Sequence, residues 1–116
     1  MQYLLLIYDN EAEFAKRGKD AMGAMMGEYR SFTQGIIQSG AFKAGDALQS
    51  VSTATTVRVR NGKTVTTDGP FAETREQLGG YYLIEAKNLD EAITIAAKVP
   101  SAKYGSIEVR PVMVYS

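Results

Sequence analysis

The chain predicts an α+β domain of ferredoxin-like type, β-α-β-β-α-β in order, with an antiparallel sheet and both helices on one of its faces. Three observations predict it. Apolar residues recur at two-residue spacing at the start, the middle and the end of the chain. Two intervening stretches carry them instead at three- and four-residue spacing, the period of an amphipathic helix. Asn10-x-x-Glu13 and Asn88-x-x-Glu91 mark helix starts with the pattern of a capping box. At 116 residues the chain is one domain, residues 1–116, large enough for a hydrophobic core without staples.

Gln2 to Tyr8 reads as the first strand, with Tyr3, Leu5 and Ile7 on one face and Leu4, Leu6 and Tyr8 on the other. Asp9-Asn10 stops it, and Asn10 opens a helical turn that Gly18 interrupts. The main helix is expected from Lys19-Asp20 to Ser39, with Met22, Met25, Met26, Tyr29, Phe32 and Ile36 on one face and Gly40 as its stop. The methionine stripe is either core packing or an adaptable ligand wall. Gly23 and Gly27, four residues apart, leave room for another backbone.

Phe42 to Leu48 is a short extended piece leading into Ala54 to Arg60, a strand rich in Thr and Val. Asn61-Gly62 is the signal of a type I′ hairpin, so Lys63 to Thr67 returns as the next strand. After the segment Asp68–Gly80 comes a strand from Gly80 to Ala86, then a helix with the stripe Leu89, Ala92, Ile93, Ala96 and Val99, ended by Pro100. Ile107 to Tyr115 is the last strand, with Pro111 implying a bulge or an edge position.

Two helices cover one face of such a sheet, yet the first strand, the strand from Gly80 and the end of the last strand are apolar on both faces. An uncovered apolar face exceeds the patch that monomers ordinarily tolerate. A second copy is the economical cover, giving a twofold dimer with sheets face to face, and larger assembly stays open.

Thirteen basic and thirteen acidic residues balance, which gives no electrostatic footprint for nucleic acid. No residue is Cys or His, so thiol and imidazole nucleophiles, zinc–thiolate sites and disulfides are excluded. Acid–base chemistry falls to carboxylates, Tyr, Lys or bound water. The opening apolar run has neither a basic flank nor a small-residue cleavage site, and no stretch reaches membrane-spanning length, so the expected location is cytoplasmic.

Composition breaks most sharply at Asp68-Gly69-Pro70-Phe71-Ala72-Glu73-Thr74-Arg75-Glu76, followed by Gln77-Leu78-Gly79-Gly80-Tyr81-Tyr82-Leu83-Ile84-Glu85. Charge is concentrated here between two apolar strands, in a loop longer than a hairpin needs. This stretch resembles the signature of the DGPF (DGPFAETKE) proteins, part of the wider YCII-related family. Arg75 replaces the signature's usual Lys, which keeps the charge and changes the donor geometry. The likeness extends through Ala54–Arg60, Leu89-Asp90-Glu91-Ala92 and Glu108–Val112. It implies a dimeric α+β barrel, a fold whose members include cofactor-independent isomerases, dehydrochlorinases and monooxygenases acting on small cyclic compounds. In the YCII branch a His on the first helix is linked with activity, and counting back from Gly40 puts Tyr29 at that place.

Asp68, Glu73 and Tyr29 are the candidate catalytic groups. Asp68 ends a strand beside a constrained Gly-Pro turn, where it serves either as a tuned carboxylate or as a turn cap. Glu73 and Glu76 would join it as an acid–base pair or as an oxygen-rich cation site, but the spacing fits no known metal loop and no metal or cofactor is assigned. Tyr29 either donates a hydrogen bond from the helix or packs with its hydroxyl at the rim. Arg58, Arg60, Phe71, Glu76 and Tyr82 are the candidate ligand-binding residues. The arginines act either as an anion clamp or as structural partners of the acidic loop. Two functions compete, with a loop that merely locks the dimer as a third possibility: a small-molecule-binding protein or cofactor-independent enzyme with a cleft beside the loop, and a non-catalytic accessory protein. The second follows from the resemblance, since DGPF-type proteins are often encoded beside sigma factors of the extracytoplasmic-function type.

Overall fold

The computed structural model describes residues 1–115. Its elements are β1 (Gln2–Asp9), α1 (Glu11–Ala15), α2 (Gly18–Gln38), β2 (Phe42–Ala47), β3 (Thr55–Arg60), β4 (Lys63–Asp68), β5 (Gln77–Glu85), α3 (Leu89–Ala96) and β6 (Ser106–Pro111), with 3₁₀ turns at Val51–Thr53 and Pro100–Lys103. β2, β5, β1 and β6 lie side by side in that order, and every pairing is antiparallel. This is the ferredoxin-like arrangement, with β1 and β5 in the centre.

Local signals act as expected. Asn10 Oδ1 and Asn88 Oδ1 accept the amides of Glu13 and Glu91 at 2.9 Å, which satisfies an N-terminal donor of each helix. Gly40 takes φ +82°, and Ala41 N donates to Ile36 O at 2.9 Å while Gly40 N donates to Ile37 O at 3.1 Å. That pair of bonds is a Schellman stop, and it turns the chain from α2 into the sheet. Asn61 and Gly62 both have positive φ, 53° and 74°, as a type I′ turn requires. Pro111 closes an edge strand, where its missing N–H costs no ladder bond.

Four expectations need correction. Phe42–Ala47, expected only as a lead-in, is the outer strand of the main sheet, paired with β5. The Asn61-Gly62 hairpin instead forms a separate sheet of two strands, an arm inserted between β2 and β5. The molecule is accordingly a slab of 47 × 47 × 19 Å with a radius of gyration of 16.2 Å, above the roughly 13–14 Å of a compact chain this long. α3 ends at Ala96, and Pro100 begins the following 3₁₀ turn rather than stopping the helix. The last strand ends at Pro111, so Val112–Tyr115 run past the sheet.

The core lies between the sheet and the helices. Tyr3, Leu5, Ile7 and Ile84 point to that face and meet Phe32 and Ile36 of α2, Ala92 and Ala96 of α3, and Val99. Leu5, Ile84 and Val99 are fully enclosed. Leu89 and Ile93, expected in the α3 stripe, are exposed, and Ile95 packs against the core instead. Gly23 and Gly27 have open space around them, with no other backbone close by. The opposite face carries Leu4, Leu6, Tyr8, Tyr81 and Leu83, in register across β1 and β5. Among the described residues no helix is long and apolar enough to cross a membrane.

Candidate functional site

A cleft of about 710 Å³ opens between α2 and the helix-side face of the sheet. Its floor is made where side chains are missing. Gly45 in β2 and Gly80 in β5 both lie on it, and a Cβ on Gly45 would sit 2.7 Å from Cδ1 of Tyr82. Glycine thus lets the Tyr82 ring lie across the β2 backbone. Phe32 and Phe42 hold that ring edge-on, with centroids 5.2 and 6.3 Å away.

α2 supplies the roof. Met25 is buried, while Met22 and Met26 are exposed, and all three line the cleft. Met, with its unbranched thioether, makes such a wall adaptable. One turn apart on the same helix, Tyr29 and Thr33 bring hydroxyls inward. Tyr29 Oη and Ser101 Oγ are 2.6 Å apart, as are Thr33 Oγ1 and Tyr82 Oη. Ser101 is delivered by the 3₁₀ turn after α3 and is buried.

One lining carboxylate is held in an ion pair whose cation lies between aromatic rings, outside the cleft lining. Asp9, last residue of β1, accepts from Arg17 Nη1 at 3.1 Å and Nη2 at 3.3 Å. The guanidinium lies 4.2 Å from the Tyr104 ring centroid and 5.2 Å from that of Phe14, an arrangement that suits a planar cation. At the mouth, Glu11 accepts from Ser50 Oγ and Val51 N. Gln77 Oε1 accepts from Glu11 N at 2.9 Å and Gln77 Nε2 donates to Thr74 O at 2.6 Å, while Asn10 Nδ2 donates to Arg75 O at 2.9 Å. The end of the Asp68–Gly80 segment is thereby tied to the start of α1, beside the cleft.

Burial raises the Tyr29 phenol above its ordinary 10.0, and hydrogen bonds from Ser101 oppose part of that rise. At neutral pH it is a neutral hydroxyl, able to donate a hydrogen bond and unable to serve as a base. Because its pKa is higher folded than unfolded, the stability tied to it is complete below about pH 10 and is lost as pH rises through the folded value. Alkaline denaturation should therefore be steeper in the wild type than in Tyr29→Phe, since Tyr8 and Tyr81 titrate in both. An equal loss of stability between about pH 9 and 11 in the two proteins, read from urea titrations, would contradict the assigned environment.

Of the residues expected from the sequence, Tyr29 and Tyr82 line the cleft. Asp68 is exposed at the end of β4 opposite Thr55. Its turn is held by Gly69, with φ +101°, whose amide donates to Ala54 O and whose carbonyl accepts from Thr56 Oγ1. Glu73 and Phe71 are exposed on the loop, and Arg58 and Arg60 lie on one face of the arm. Glu76 accepts from Ser106 Oγ at 2.8 Å. These six do not converge with the tyrosines. Asp9, Arg17, Thr33, Ser101 and Gly45 were not singled out from sequence. Asp9 had a signal, a carboxylate ending an apolar strand; Ser101 had none.

The YCII-related domain model matches residues 1–116. An uncharacterized protein of Rhizobium meliloti is 35% identical over 117 residues, which cover 99% of this chain and 94% of that protein. Among solved structures, the fold is similar to that of 5-chloro-2-hydroxyhydroquinone dehydrochlorinase from Burkholderia phenoliruptrix in complex with 2,5-dihydroxybenzoquinone. There the TM-score is 0.57 at 13% identity, over 97% of this chain and 94% of that one. With a family model spanning its whole length and a relative alike from end to end, the chain belongs to the YCII-related family.

Proposed function

We propose that this protein binds a small cyclic molecule in the cleft between α2 and the sheet. One observation carries the reading: a largely apolar cleft of about 710 Å³ contains two hydroxyl pairs, the composition of a small-molecule site. The dehydrochlorinase of similar fold, solved with a hydroxylated quinone, supports the same reading as an analogy of fold. With neither thiol nor imidazole in the chain, the site's chemistry is polarisation of a ligand oxygen and proton donation by neutral hydroxyls.

In this reading a second copy covers the open face of the sheet. Leu4, Leu6 and Leu83 form an apolar centre there. Tyr8, Glu108 and Arg110 border it on the β6 side, and Tyr81 with Asp46 on the β2 side, the layout of an interface core with a polar rim. The arm, which exposes Val57 and Val59, and the loop with Phe71 extend that contact, because a lone hairpin is marginally stable without support. Asp68, Glu73, Arg58 and Arg60 then belong to the contact between copies.

Amide chemical shifts recorded against phenols, lactones and small carboxylates test the site. Shifts should cluster at Met26, Gly45, Gly79 and Gly80, and Gly45→Val, which drives the Tyr82 ring into the cleft, should abolish them. Shifts confined to Asp68–Glu73 would transfer the site to the loop and refute the cleft.

A further inference from the structure

The charged side chains that face the cleft are Asp9 and Glu11, both acidic; Asp46 stands opposite Tyr81 and turns its side chain to the other face of the sheet. Among the described residues no Lys or Arg lines the cleft. Both carboxylates already have their partners, Asp9 in Arg17 and Glu11 in Ser50 and the Val51 amide. The Gln77 amide is likewise engaged at both ends. The carboxylate and side-chain amide acceptors that face the cleft are therefore occupied.

Its donors are not. Tyr29 with Ser101, and Thr33 with Tyr82, each bring two O–H protons to one short contact. One proton of each pair lies between the oxygens, so the other must find an acceptor elsewhere. Among the described residues no acceptor for either is recorded beyond the pair itself. Tyr29 and Thr33 stand one helical turn apart, so both pairs are served from the same side of α2. They are neutral donors within walls built largely of Met and aromatic side chains.

We infer that the cleft selects neutral ring compounds bearing carbonyl, ether or lactone oxygens and rejects their anionic counterparts. This rests on the proposed cleft site and assigns its ligand class. A carboxylate or phenolate would leave water for apolar walls with no cation to meet it, and would face the acidic side chains, a juxtaposition of like charge that is costly on binding. A neutral carbonyl meets a free O–H proton and leaves nothing uncompensated. The arginines expected to clamp an anion, Arg58 and Arg60, lie on the arm and not on this surface.

Benzamide and benzoate have the same shape and differ in charge, so their binding to the full chain at pH 7, followed by amide shifts, is the test. Benzamide should shift the Gly45 and Gly80 amides and bind about tenfold or more tightly than benzoate. The Tyr82→Phe and Tyr29→Phe variants should each weaken benzamide severalfold while barely changing benzoate. Benzoate binding in the cleft as tightly as benzamide would overturn the charge selection and leave the cleft as a site. Shifts from neither probe at millimolar concentration, or shifts away from the cleft, would overturn the site and the selection together.

Discussion

Gly105→Ala should be the most destabilising small substitution in the chain, costing about 3 kcal/mol, the upper part of the range for overpacked positions. A Cβ at Gly105 would lie 1.9 Å from the carbonyl oxygen of Tyr8 and 3.0 Å from Asp9 Cα. Both are main chain of β1, which is fixed between β5 and β6, so no side chain can swing aside to make room. Gly105 is in turn anchored by its amide, which donates to Ser101 O at 2.8 Å. Relief must come from moving the end of β1, and with it Asp9, or from moving the turn that carries Ser101. Thermal unfolding should fall by about 10 °C or more for a domain of this size. Gly79→Ala is the control, because that position has open space around it and no positive φ. A Gly105→Ala protein as stable as Gly79→Ala would mean that β1 and the 3₁₀ turn are not packed as described.

Such a contact shows why some of the molecule was legible in its sequence and some was not. Signals acting within five residues were readable: the Asn10 and Asn88 caps, the Gly40 stop and the Asn61-Gly62 turn all set backbone angles by themselves. Both helices and the faces of β1 followed from periodicity for the same reason. Which strands share a sheet is a nonlocal choice. Phe42–Ala47 has the weaker strand composition, yet it pairs with β5 because the Schellman stop at Gly40 aims it there and Phe42 reaches the core. Val57 and Val59 have better strand propensity and stand on the detached arm. The cleft was less legible still. Tyr29 and Tyr82 were found as candidate residues, but their hydroxyl partners were not, and Tyr29 and Ser101 are 72 residues apart. The charged loop drew attention because it is compositionally unusual, whereas the floor of the cleft is made by glycines whose contribution is an absence of side chain.

Leu6→Arg is expected to split the proposed dimer, with the mass in solution falling from about twice to about once 12.6 kDa. Leu6 lies in the middle of the central strand, opposite Tyr81 of β5 and Glu108 of β6, on the face away from the helices. In the single chain it is half-exposed, so the arginine stem can lie along the sheet with its head in water and the fold should tolerate it. Between two sheets the same side chain has no such escape. Twofold symmetry places both copies near one another at the interface, so the substitution removes two buried leucines, each contributing about 1.5–3 kcal/mol, and sets two like charges together. The dimer should weaken by at least about a hundredfold, visible as a concentration-dependent mass in analytical ultracentrifugation. The amide spectrum around Tyr29 and Gly45 should be preserved, because the cleft is on the opposite face of the sheet and is built within one copy. A wild-type protein that is monomeric at every concentration would refute the face-to-face pairing at once. A Leu6→Arg protein that stays dimeric would move the contact to the arm, where Val57→Asp and Val59→Asp would then be the substitutions to separate the copies.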